Sequence, residues 1–289
     1  MNSVVSVLPL WPGQLRGGEP GTPPGSAPEG TAIAVFAGGF LATAAHVVDQ
    51  ATEITVRLYN GQRVPARFVA LDKQSDIALL KIDVDIPVFE FGGEPELGAK
   101  VCAIGNQFGL DLSVTCGVVS ATRRSGTGFN RVEDFIQTDA VVNPGSSGGA
   151  LVDEDGQLVG MLSAIFTTAS DADIGVNFAV SSALLLRVAT DLKEQGAYMR
   201  PRTGLRLSDV SAEEYEGRAG AKVVQVFEGQ AGALAGIETG DLVTKVGTRR
   251  IKRASDVIAA VALHFSGDRL VFEVLRDGIP LEIPVTLAP

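Results

Sequence analysis

A serine, a histidine and an aspartate in this sequence stand in contexts that could together break an acyl bond. Ser147 lies in Gly145-Ser-Ser-Gly-Gly149. The glycines at 145, 148 and 149 give that turn the backbone freedom to aim a hydroxyl outward while neighbouring N–H groups converge on one point. Taken alone, such a turn is common loop composition. A serine nucleophile needs a base, and the base needs an orienting carboxylate. The chain has 2 histidines. His46, in Ala42-Thr-Ala-Ala-His-Val-Val48, ends a strand-like run whose small residues leave room for a second chain to approach. His264 closes an amphipathic helix and reads as a half-buried helix-end residue. Asp76 precedes the apolar run Ile77-Ala-Leu-Leu80, where a carboxylate can be partly buried, whereas Asp72 reads as a solvated turn residue. Oriented base and nucleophile thus come from separate segments, in the order His46, Asp76, Ser147.

The elements that must position them are short and β-rich. Runs of Val, Ile and Ala at Ser3–Leu8, Thr31–Phe36, Phe40–Ala44, Glu53–Tyr59, Val64–Leu71 and Ile77–Val84 read as strands. Asn60-Gly61 signals a two-residue hairpin. Further runs follow at Lys100–Ile104, Ser113–Ala121, Phe135–Gln137, Ala150–Val152, Leu158–Ile165 and Gly175–Val180, and the absence of helices between them predicts an all-β barrel or sandwich. Between the first two strands, Pro12–Gly30 is dense in Gly and Pro and reads as a loop. Ser181 or Ser182 can cap a helix over Ala183–Gln195, with Gly196 to end it. Beyond Pro201 comes a smaller mixed unit with five strand-like runs and helices near Ala231–Ala235 and Ser255–Phe265. The expected domains are 1–30 (strand and Gly/Pro-rich loop), 31–195, a linker at 196–202, and 203–289.

Composition bounds the partners. With 45% hydrophobic and 20% charged residues the chain is globular, and at a net charge of −10 with no basic stripe it is not expected to bind nucleic acid. No apolar run reaches membrane-spanning length. Met1–Leu10 lacks a basic leader and Pro9 interrupts it, so it is not expected to act as a secretory signal. Two cysteines and two histidines leave no expected structural metal, and no cofactor is expected. Cys102 and Cys116 are read as buried thiols in preference to a disulfide. Gly145–Gly149 lacks a following lysine and leads into a strand, which excludes a nucleotide-binding loop.

Several segments in the same order resemble the HtrA/Deg (high-temperature-requirement) family of trypsin-like proteases. They are Thr43-Ala-Ala-His-Val-Val48, Ser75-Asp-Ile-Ala-Leu-Leu80, Ala103-Ile-Gly-Asn-Gln-Phe-Gly109, Gly117-Val-Val-Ser-Ala121 and Gln137-Thr-Asp-Ala140 through Gly145–Val152. Residues 203–289 resemble one PDZ domain, above all at Ala231-Gly-Ala-Leu-Ala-Gly-Ile-Glu-Thr-Gly-Asp-Leu-Val243. The resemblance implies a mainly β protein, two six-stranded barrels with the active site between them, followed by a small α+β PDZ domain. It implies a serine endopeptidase that needs no ATP and degrades misfolded proteins, with Ser147 as nucleophile, His46 as base, Asp76 as its orienter, and the N–H groups of Gly145 and Ser147 as oxyanion hole. Val141, six residues before the nucleophile, would sit at the pocket base, and Ser163, Ala164 and Ile165 would pair with substrate, favouring small aliphatic P1 residues. In the PDZ unit, Thr203, Gly204 and Leu205 would form the carboxylate loop for C-terminal tails, and Leu205, Leu207 and Val261 would line the groove.

The resemblance further implies a homotrimer with Trp11 as one contact, a rearranging loop at Arg123–Asp134, and a periplasmic or other extracytoplasmic setting. A catalytically silent member that holds unfolded chains is the alternative, and the intact triad set argues against it. Two departures stand out. Ser146 replaces the aspartate of trypsin-type zymogens and the family's usual asparagine, leaving no charged anchor for activation by cleavage. Gln107 replaces a common proline, from which a looser turn is expected.

Overall fold

The computed structural model describes residues 1–13, 29–167, 173–210 and 219–289, apart from the side chains of 164–167 and 173–174. The chain divides into two units. One comprises Met1–Arg124 and Asp134–Tyr198, the other Ser125–Glu133 and Met199–Pro289.

The first unit is built from two closed antiparallel barrels. Strands β1 (Val4–Leu10), β2 (Gly30–Phe36), β3 (Phe40–Ala44), β4 (Glu53–Arg57), β5 (Arg63–Asp72) and β6 (Ile77–Ile82) close in the order β1-β2-β3-β6-β5-β4. Residues alternate faces along a strand, so Val5, Val7, Ala32, Ala34, Leu41, Val56 and Leu80 share one core. Their neighbours on the opposite face, Val4, Ile33 and Leu79, are also fully buried, which explains why these runs are continuously apolar. β1 pairs with both β2 and β4, so the N-terminal strand is a stave of this barrel and not a separate appendage. The connection around Asn60-Gly61 is longer than a two-residue hairpin: it runs from Leu58 to Gln62, closed by Leu58 N–H to Gln62 O at 2.8 Å and Gly61 N–H to Leu58 O at 2.8 Å.

The second barrel comprises β7 (Lys100–Gly105), β8 (Ser113–Arg124), β9 (Phe135–Thr138), β10 (Ala150–Val152), β11 (Leu158–Thr167) and β12 (Asp173–Ser181), in the order β10-β11-β12-β9-β8-β7. Val101, Ala103, Val119, Ile136, Leu151 and Leu162 fill it. Cys102 and Cys116 face each other across β7 and β8 and form a disulfide. This overturns the reading of buried thiols: opposite positions on antiparallel strands bring two Cβ atoms within bonding reach, and Cys116 is exposed. Helix α1 (Ala45–Val48) follows β3 directly. Helix α2 (Ser182–Gln195) is capped by Ser181, whose hydroxyl accepts from Leu184 N–H at 3.2 Å, and ends at left-handed Gly196. It buries Leu184, Leu185, Val188 and Leu192.

In the second unit, β13 (Leu205–Asp209), β14 (Ala221–Val226), β15 (Leu242–Val246), β17 (Arg269–Arg276) and β18 (Ile279–Thr286) form one sheet in that order, with β16 (Arg249–Arg250) beside β15. Helices α3 (Ala231–Ala235) and α4 (Ala254–Ala262) complete it around Val223, Val243, Phe272 and Val285. Ser125–Glu133, expected in one mobile loop of the protease part, belongs with this unit. Ser125 Oγ donates to Asp256 Oδ1 at 2.6 Å, and buried Glu133 accepts from the N–H groups of Thr127, Gly128 and Asn130. Among the described residues no helix is long and apolar enough to cross a membrane.

Candidate active site

The two barrels meet where the chemistry-bearing residues lie: Thr31 N–H of β2 reaches Ser147 O at 2.9 Å, and Ser163 of β11 reaches Asp76 at 3.1 Å. His46 sits in α1, the single turn into which β3 breaks after its run of alanines. Asp76 sits on the tight corner before β6, in the left-handed conformation (φ 58°). Its carboxylate holds the histidine twice: Oδ1 accepts from His46 N–H at 2.9 Å, and Oδ2 pairs with Nδ1 at 2.8 Å. Ser163 on β11 adds a third bond, donating from Oγ to Oδ2 at 3.1 Å. With Nδ1 committed to Asp76, Nε2 is left to exchange a proton with a substrate-side group. Partial withdrawal of the ring from water disfavours the imidazolium, but the hydrogen bond to Asp76 and its charge outweigh this, so the His46 pKa lies above the ordinary histidine value. Asp72, expected to be solvated, is buried instead. It accepts from Ser75 N–H at 3.0 Å and Ser75 Oγ at 2.7 Å, fixing the corner that presents Asp76.

The serine side is organised by peptide planes. A peptide is planar and trans, so its C=O and N–H point in opposite directions, and holding one aims the other. Pro144 O accepts from Phe108 N–H at 2.7 Å, which turns Gly145 N–H away from that bond; Ser146 O accepts from Gly149 N–H at 2.8 Å, which does the same for Ser147 N–H. Among the described residues neither Gly145 N–H nor Ser147 N–H has a backbone acceptor. Two donors so left beside a half-exposed serine hydroxyl are what a developing oxyanion would require. The glycines are needed for more than freedom. Gly145 (φ 95°) and Gly148 (φ 85°) lie so close to other backbone that a Cβ would come within 2.2 Å of Asn106 O and 2.0 Å of Thr31 O. Ser147 Oγ makes no hydrogen bond to His46 in this ligand-free arrangement; such bonds commonly tighten only when substrate is bound.

Gln107 does not loosen its turn. Its Oε1 accepts from Asn143 Nδ2 at 2.8 Å, an anchor that proline would lack, and Asp111 N–H bonds Asn106 Oδ1 at 2.9 Å. Val141, six residues before Ser147, is 46% exposed, and its carbonyl accepts from Thr115 Oγ1 at 2.5 Å. Ala164 and Ile165 pair through their backbones with Phe178 and Asn177 on β12, while their side chains lie outside the described residues. β10 reaches only as far as Met161 along β11, so among the described residues no strand pairs with the opposite edge of Ser163–Ile165.

Residues 30–161 match the family model of the trypsin-like peptidase domain, and residues 172–287 that of the PDZ domain. A solved structure described as the HtrA-type protease AlgW with tripeptide superposes with a TM-score of 0.76 at 32% identity, covering 99% of this chain and 93% of that one. The chain belongs to the HtrA family of serine proteases. Among curated relatives, a probable periplasmic serine endoprotease DegP-like from Chlamydia trachomatis is 36% identical over 266 residues, 89% of this chain and 53% of the relative. The periplasmic serine endoprotease DegP of Escherichia coli is 35% identical over 258 residues, 86% of this chain and 54% of the relative. The chain therefore spans about half the length of the curated relatives it matches.

The PDZ unit of this HtrA chain has β13 at the sheet's edge, and the N–H groups of Thr203 and Gly204 donate to no backbone acceptor among the described residues. The loop is held from its carbonyls: Thr203 O accepts from Gly232 N–H at 2.7 Å and Gly204 O from Phe227 N–H at 3.0 Å. Val261, expected to line the groove, is 6% exposed and belongs to the core, with Leu205 and Leu207 packed against that core from β13. Helical spacing could not separate a groove-facing from a core-facing valine. Trp11 is half-buried, its indole N–H bonded to Asp49 O at 2.8 Å. Sequence reasoning missed three contributors: Ser163 as a donor to Asp76, Asp72 as a brace, and Phe108 as the donor that sets the Gly145 peptide. Phe108 acts through its backbone, which leaves no mark on residue identity.

Proposed function

We propose that this chain is a serine endopeptidase in which Ser147 attacks the scissile carbonyl, His46 Nε2 takes the proton and returns it to the leaving amine, and Asp76 holds the imidazole tautomer. The observation that carries this reading is the doubly bonded Asp76–His46 pair facing a serine turn whose two N–H groups are already aimed and unoccupied. In enzymes of this chemistry each oxyanion donor is worth about 3–4 kcal/mol in the transition state. The test is fluorophosphonate labelling and cleavage of an unfolded protein with and without Ser147→Ala. Labelling or cleavage that survives the substitution sinks the proposal.

The finer reading is that substrates are misfolded or unfolded chains, bound by strand addition along Ser163–Ile165, with small aliphatic P1 residues beside Val141. A P1 library that returned Arg or Lys would overturn that preference. C-terminal tails would add to β13 with their carboxylate on the Thr203 and Gly204 N–H groups. Assembly as a homotrimer follows from family membership and would be read as mass by light scattering. An extracytoplasmic setting is supported by the periplasmic relatives and by the Cys102–Cys116 disulfide, since such bonds persist in oxidising compartments.

A further inference from the structure

Thr31 opens β2 in the first barrel, carries no formal charge, faces no solvent, and lies more than a hundred residues from the serine turn in sequence. All its polar groups are nevertheless spent at the active-site end of the molecule. Thr31 Oγ1 donates to Gly145 O at 2.7 Å and accepts from Asn106 N–H at 2.9 Å. Its N–H donates to Ser147 O at 2.9 Å, and its carbonyl accepts from Thr43 Oγ1 at 2.7 Å. Gly148 passes so close to the Thr31 carbonyl that no side chain fits there. One residue of the barrel that carries His46 and Asp76 therefore grips the turn of the other barrel at the carbonyls of Gly145 and Ser147.

The hydroxyl has the most consequential place. Gly145 O belongs to the Gly145–Ser146 peptide, which lies between the peptide bearing Gly145 N–H and the peptide bearing Ser147 N–H. That middle plane is held by the Thr31 hydroxyl, so the backbone linking the two donors starts from a set orientation. The same hydroxyl anchors Asn106 at the start of the turn whose Phe108 N–H aims the first donor.

We infer that Thr31 is a positioning residue for the oxyanion half of the site, and that it ties the barrel bearing the base to the barrel bearing the nucleophile; this rests on the reading of Ser147 as nucleophile. It touches no substrate. Its loss misaims the two N–H donors while leaving the Asp76–His46 pair and the substrate-binding edge of β11 in place.

The test compares Thr31→Val, which keeps the shape and removes the hydroxyl, with Thr31→Ser, which keeps the hydroxyl. Since deleting one oxyanion donor outright costs about 10²–10³ in kcat, misaiming the pair is expected to lower kcat about 10–100-fold in Thr31→Val. KM should stay within about twofold, because ground-state binding is untouched. Thr31→Ser should recover most of the rate. The acidic limb of the pH profile, set by His46, should be the same in all three proteins. The second-order rate of fluorophosphonate labelling should fall with kcat, while its final extent stays full. A Thr31→Val enzyme with wild-type kcat overturns the inference, as does a Thr31→Ser enzyme no better than Thr31→Val, or a shift of the acidic limb that reveals general disruption. Should Thr31→Val fail to fold by circular dichroism, Thr31→Ala, which presses no methyl against the Gly145 carbonyl, carries the same comparison on its folded fraction. Labelling that persists in Ser147→Ala would instead reject the reading of the site itself, so the two failures are told apart.

Discussion

The two halves of the candidate site are held in different ways. On the first barrel, the base is fixed by side chains: Asp76 grips His46 at ring and backbone, and Ser163 reaches Asp76 from the second barrel. On the second, the nucleophile turn is fixed almost wholly by peptide groups, with side-chain help from the Thr31 hydroxyl. The acid–base half depends on which residues are present, and the oxyanion half on which way peptides face. The first kind of information is written in residue types. The second is written in glycines and in contacts from distant parts of the chain.

The sharpest way to break the side-chain half is Asp76→Asn. Loss of the carboxylate removes the tautomer control, and kcat should fall about 10⁴-fold with modest change in KM, measured on a peptide substrate. A fall no larger than that of an oxyanion variant would remove the distinction between the halves. The corresponding break on the peptide side is Gly145→Ala, which forces a Cβ onto Asn106 O and strains a left-handed backbone. It should cost about 10²–10³ in kcat, the range for one lost oxyanion donor, with the acidic limb of the pH profile unchanged.

That limb tests the base directly. His46 must be neutral to accept a proton, and its pKa is raised by Asp76, so kcat/KM should fall off on the acidic side at a midpoint above the ordinary histidine value. In Asp76→Asn the midpoint of any residual activity should move to lower pH. The linked stability has the opposite sense to the activity. A raised histidine pKa stabilises the fold fully below the unfolded-state value and loses that contribution as pH rises through the folded-state value. Activity and this contribution to stability should therefore cross over in the same pH window.

Smaller effects probe the scaffold. Replacing Cys102 and Cys116 together by Ala opens a loop with a sequence separation of 14, for which chain entropy predicts a stability loss of about 3 kcal/mol. Thermal unfolding should report it, with the His46 pH limb unmoved. Ser146→Ala acts in the reverse direction. The Ser146 hydroxyl is buried without a hydrogen-bond partner among the described residues, so its removal should stabilise the protein by about 1 kcal/mol in denaturant titration. A loss of stability there would mean that the hydroxyl is held by a group not yet identified.

The fold was largely readable because strands here are apolar on both faces and separated by turn residues, and the His46–Asp76 pair because those residue types stand in characteristic contexts at the ends of such strands. What escaped reading depended on register and packing. Cys102 and Cys116 become partners only when β7 and β8 are aligned residue against residue. Asp72 looks like any turn aspartate until Ser75 folds back on it. Val261 and a groove-facing valine have the same helical spacing. Thr31 is one β-branched residue among many at the head of a strand, and nothing in its identity points to Gly145.

The arrangement of staves in the first barrel has a consequence for the order of events during synthesis. Every strand paired in the closed barrel of β1 to β6 lies within Val4–Ile82. A chain emerging from its N-terminus can thus close this barrel, and bring His46 to Asp76, before Ser147 has been made. The serine turn belongs to a barrel whose last closing strands come some hundred residues later, and it docks on a β2 already in place. A nascent chain of this design therefore forms its Asp76–His46 pair early and its serine turn late.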